Sequence, residues 1–168
     1  KTHAKVIDIL HNAGAATIAM DVDFSSRTLQ PQDEALTAAM RRANGAVILP
    51  SFVQPSGTDA GMLAQTFPLP ELASNALVGN ANVFAPHGLV RTAATGVVGP
   101  DATLQPSFAA LVAQAKTVSP NAYDIDYSID LKTIPHISFL DVYDANFDFS
   151  TIKGKRVFIT GAGRGFCA

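Results

Sequence analysis

The chain has 168 residues, of which 48% are hydrophobic and 15% charged, with a formal net charge of -2. That is long enough to bury a real core in one domain, and the charge argues against recognition of nucleic acid or anionic membrane by bulk electrostatics. A single cysteine, Cys167, excludes an internal disulfide and a multi-thiolate zinc cluster.

Taken in order, residues 4–15 place Val6, Ile7, Ile9 and Leu10 at helical spacing, and Gly14 closes that helix. Residues 16–24, ATIAMDVDF, read as an apolar strand that turns acidic at its end. Residues 30–43 carry the clearest helix. Pro31, Asp33 and Glu34 suit its start, Arg41 and Arg42 suit its negative end, and Gly45 stops it. AVILPSF, at 46–52, predicts a second buried strand halted by Pro50. A polar loop follows at 54–61, then a short helix after Pro70.

VGNANVFAP and LVRTAATGVV flank Pro86-His87-Gly88, and two β-like runs about such a tip predict a hairpin. Residues 107–116 predict a helix. YDIDYSI, 123–129, alternates, which predicts a strand with Tyr123, Ile125, Tyr127 and Ile129 toward the core and its acids toward water. IPHISFLDVYD predicts a loop and a short helix, and RVFITGAG a final strand. Strands alternating with helices, plus the hairpin, predict an α/β fold. Its sheet is mixed and largely parallel, with helices on both faces and an inserted β-hairpin.

The glycines that close the chain, Gly161, Gly163 and Gly165, resemble the start of a dinucleotide-binding turn. Such a turn works by leading into a helix and then a second strand with an acidic residue. Only Phe166, Cys167 and Ala168 follow here. A structural turn that lets the last strand leave its sheet fits better. An NAD(P)-dependent oxidoreductase fragment stays as an alternative.

Several stretches, in order, resemble one family: IAMDVDFSS, DEALTAAMRRANGAVILP, PLPELASNA, GNANVFAPHGLVRTA, LQPSFAALVA, IDYSIDLKTIPHISFLDVY and IKGKRVFITGAG. Together they look like the second type of CHASE domain, over roughly residues 5–165. The order and spacing of HGLVR, IPHISFLDV and KGKRVFITGA carry the likeness. This chain has His87-Gly88 where that family tends to Asp-Gly. The resemblance implies a single extracytoplasmic, periplasmic sensor domain excised from a bacterial inner-membrane receptor. Membrane helices elsewhere in the full-length chain would lead to a cytoplasmic cyclase, cyclic-di-GMP enzyme or kinase, two-component systems included. It lends no catalytic residue, no cofactor and no metal, and the domain itself is not expected to be an enzyme. The partners expected are an unidentified small molecule, ion or protein signal and a second copy in a homodimer, with the first helix at the dimer contact. A ligand-free dimerisation scaffold is the other alternative.

Four residues are candidates for ligand binding. Asp21 and Asp23 lie two apart at the end of a strand, so their carboxylates would share a face and suit a cation or amine. Arg91, among Leu89, Val90 and Ala93, needs an acidic partner or a ligand carboxylate, and Asp21 or Asp23 is the obvious one. His87, at an exposed turn, could sense pH. Gly88, Gly161 and Gly163 are read as turn residues. Ser51, Ser56 and Ser107 lack a nucleophile elbow or paired base, so hydrolysis has little support.

Overall fold

The computed structural model describes residues 2–56, 63–128 and 148–160. Helix α1 (Thr2–Asn12) forms because Ala4, Val6, Ile7 and Leu10 fall on one stripe, all buried. Its end is a Schellman turn: Gly14 N–H donates to the His11 carbonyl at 2.9 Å and Ala15 N–H to the Leu10 carbonyl at 3.0 Å. Gly14 takes φ +81°, which a side chain would resist. Strand β1 (Thr17–Asp21) follows.

Helix α2 (Gln30–Arg42) starts at Leu29, which offers no side-chain cap. Asp33, from inside the first turns, instead ties down the residue that precedes Leu29. Its carboxylate accepts the Thr28 hydroxyl at 2.6 Å and the Thr28 N–H at 3.1 Å. The Thr28 hydroxyl, first among the causes, holds the Asp33 carboxyl below its ordinary range.

Strand β2 (Val47–Pro55) runs straight through Pro50, which was expected to halt it. The pairing explains this. β1 covers Val47 and Ile48 in parallel register, and β3 (Leu63–Thr66) begins at Phe52 in antiparallel register. On the other edge β4 (Leu77–Asn80) pairs in parallel from Ile48 to Ser51, and the Ser51 carbonyl takes the Ala81 N–H on that side. Alternate residues bond to opposite neighbours, so the missing N–H of Pro50 faces the gap between β1 and β3. The short helix α3 (Pro70–Ala73) precedes β4 and stops well before the end of the apolar run.

The expected hairpin about Pro86-His87-Gly88 does not form. β4 pairs with β2, and β5 (Thr92–Ala93) pairs antiparallel with β8 (Tyr123–Asp124). The hairpin that is present joins β6 (Gly96–Val98) to β7 (Leu104–Pro106) through Gly99–Thr103. Helix α4 (Phe108–Ala113) is capped by the Ser107 hydroxyl, which accepts the Ala110 N–H at 3.1 Å, and ends sooner than its pattern implies at left-handed Gln114. The alternation in YDIDYSI also misleads. Tyr123 and Tyr127 are 51% and 68% exposed, and the Tyr127 hydroxyl donates to the Val90 carbonyl. Ile129, Asp130 and the IPHISFLDVYD segment with His136 lie outside the described residues.

Strand β9 (Arg156–Thr160) pairs in parallel with β1 from Thr17 to Asp21. The main sheet therefore reads β3-β2-β1-β9, with β4 on β2. Helices cover both faces. On one, Val6, Ile7 and Leu10 of α1 and Leu36, Ala39 and Met40 of α2 pack on Ile18, Met20, Val47 and Leu49. On the other, Phe108 of α4 packs on Ala19 and Ile48. Gly79 allows that second contact, since a Cβ there would lie 2.7 Å from the Phe108 Cα. Each fully buried large side chain contributes about 1.5–3 kcal/mol.

Candidate functional site

All the parallel strands, β1, β2, β4 and β9, end on the same edge of the sheet. Open α/β sheets bind ligands at such an edge. The register places a compact polar group there. Ser51 of β2 and Asn80 of β4 are direct partners, so their side chains share one face. Gln65 of β3 opposes Val53, two residues beyond Ser51, and joins that face.

Ser51 and Asn80 are each only 1% exposed. Gln65 Nε2 donates to Ser51 Oγ at 3.1 Å. Gln65 also forms a reciprocal amide pair with Gln105 of β7, in which Gln105 Nε2 donates to Gln65 Oε1 at 3.0 Å. Asn80 Oδ1 accepts the Asn82 N–H at 2.9 Å. That bond fixes the amide orientation, so Nδ2 is the donor left over. Asn80 Nδ2 is buried and has no partner among the described residues. Asn82 in turn acts as a strand residue with its side chain. Its Oδ1 accepts the Val53 N–H and its Nδ2 donates to the Val53 carbonyl, both at 2.6 Å.

The four candidates drawn from the sequence sit differently. Asp21 ends β1 and is half-buried, whereas Asp23 lies beyond the strand and is exposed. Only Asp21 therefore belongs to the strand. Asp23 Oδ1 instead accepts the Ser25 N–H at 2.8 Å, a local turn bond. Arg91 is exposed rather than set among apolar side chains, and its carbonyl accepts the Ile125 N–H at 2.9 Å. Among the described residues the ion pairs are Arg27–Glu71 at 2.6 Å and Arg42–Asp8 at 2.8 Å, so Arg91 bridges to neither Asp21 nor Asp23. His87 is exposed, as expected of a turn, and holds a left-handed φ of +57°. Gly88 follows at φ +76°. Gly161 and Gly163 lie outside the described residues.

Sequence reasoning missed the polar group. Ser51 and Asn80 did leave a trace, as polar residues ending apolar runs at AVILPS and ALVGN. Gln65 and Gln105 left none, because their strands are short and carry no periodic signal.

Both ends of the described chain reach this same edge. His3, at the start of α1, packs edge-on against Phe24 just past β1, with ring centroids 5.4 Å apart. Thr160, at the end of β9, pairs with Asp21. Among the described residues no helix is long and apolar enough to cross a membrane.

Comparison with curated proteins and with solved structures finds no match. A family model described as the CHASE2 domain matches residues 1–166. With nearly the whole of its length covered by that match, the chain belongs to the CHASE2 family of extracytoplasmic sensory domains.

Proposed function

We propose that this chain is the periplasmic sensor of a bacterial transmembrane receptor, which passes a signal to a cytoplasmic cyclase, cyclic-di-GMP enzyme or kinase. It performs no catalysis of its own in this reading. The observation that supports it most, beside the family, is the placement of α1 and β9. The start of one and the end of the other each lie beside the end of β1, at one edge of the sheet, through His3–Phe24 and Asp21–Thr160. A module tethered on one side to membrane segments needs that arrangement. A change at that edge would bear on both connections at once. The signal in this reading is a small molecule, an ion or a protein, received by a homodimer. A dimer contact through α1 would use the outer face of the helix, because its apolar stripe is buried within the domain.

The test is topological. Alkaline phosphatase fused after this domain in its full-length gene folds to an active enzyme only outside the cytoplasm. Active fusions are expected. Inactive fusions, with β-galactosidase active at the same position, would overturn the reading.

A further inference from the structure

The geometry points to a binding site for a small uncharged molecule bearing a carbonyl or hydroxyl oxygen, held by Asn80 and Ser51. This inference rests on the sensory reading and names the chemistry of what is sensed. Asn80 Nδ2 is a buried donor with no acceptor among the described residues. Its strand partner Ser51 accepts from Gln65, and its own hydroxyl proton has no acceptor among the described residues. Two adjacent donors thus lie on one face at the carboxyl edge of the sheet, where a single oxygen can accept from both.

The surroundings select the ligand. The side chains gathered there are Ser51, Gln65, Asn80 and Gln105, all uncharged, and the Asp101 carboxylate stands beside the two glutamines, linked to Gln105 through Thr103. No cation stands among them to neutralise a buried carboxylate or phosphate, so an anion would be desolvated without compensation. Amides and hydroxyls both donate and accept, and suit a neutral amide or polyol. The reciprocal Gln65–Gln105 pair ties β3 to the β6–β7 hairpin across the cluster. A ligand amide offers the same donor and acceptor as either half of that pair.

The experiment follows the Asn80 side-chain amide signals of this chain by nitrogen-15 NMR. The probes are acetamide and glycerol, with acetate as the charged comparison. Saturable movement of the Asn80 amide protons with acetamide or glycerol, and none with acetate, is expected. Asn80→Asp, which keeps the shape and removes the donor, should weaken that binding roughly tenfold to a hundredfold, read in this variant from the side-chain amide signals of Gln65 and Gln105. Ser51→Ala should weaken it too and supplies the answer if Asn80→Asp does not fold. Signals that ignore all three probes, or a cross-peak to water that persists while no probe moves them, overturn the proposal: the donor is then only hydrated. Equal movement with acetate overturns it as well. Phosphatase fusions judge the sensory reading separately, so either can fail without the other.

Discussion

Gly79→Ala tests how α4 is seated on the sheet. The new Cβ would lie 2.7 Å from the Phe108 Cα, 2.9 Å from the Phe108 N and 2.9 Å from Leu111 Cδ1. Ordinary contact begins near 3.4 Å, so α4 must retreat by about 0.7 Å or β4 must bend. Leu111 can rotate away, but the backbone of Phe108 cannot. Overpacking of this kind costs about 1–3 kcal/mol. In a chain of this size each kcal/mol shifts the melting temperature by about 2–4 °C, so a fall of about 2–12 °C is expected in a calorimetric scan. The double variant Gly79→Ala/Leu111→Ala separates the two clashes. If the backbone contact dominates, the coupling energy stays below about 0.5 kcal/mol. A melting temperature unchanged by Gly79→Ala, or one restored in the double variant, would refute the reasoning.

Ile7→Ala should cost about 2–5 kcal/mol in urea unfolding, because Ile7 is fully buried between α1, α2 and the sheet; a loss below about 1 kcal/mol would mean α1 is not part of the core. Removal of residues 1–15 should likewise unfold the domain rather than merely separate a dimer, as light scattering with circular dichroism would report. In acid, Asp33, Asp101 and Asp148 act together. Hydrogen bonds from Thr28, Thr103 and Ser150 hold these carboxyls below their ordinary value of 3.8. The folded state therefore binds protons less readily than the unfolded one, and the benefit is full above 3.8 and lost as pH falls below it. The melting temperature should drop through that window, and Asp33→Asn should flatten the drop; an identical slope in the variant would refute the role given to the Asp33–Thr28 bonds.

Local patterns carried much of the fold. The span of α2 was legible because Pro31, Asp33, Arg41 and Arg42 mark its polarity and Gly45 follows its end. β1 and β2 were legible as apolar runs, and RVFIT as the last strand. Features that depend on partners were not. β3 sits in a stretch without alternation and exists because the far half of β2 needs a neighbour. The hairpin lies at Gly99–Thr103 and not at Pro86-His87-Gly88 because β4 pairs with β2. Arg91 was expected to need an acid, and its exposure to water removed that need.

The sequence by itself determined the family, the class of fold and the faces of the first two helices, because periodicity and end signals are properties of neighbours along the chain. Only the tertiary structure decided that Ser51, Gln65, Asn80 and Gln105 gather into one polar group, with Ser51 and Asn80 buried and the glutamines half-buried, and that the start of α1 and the end of β9 lie at the same edge. Strand register sets which distant residues share a face, and register is fixed by the pairing of whole strands against a core.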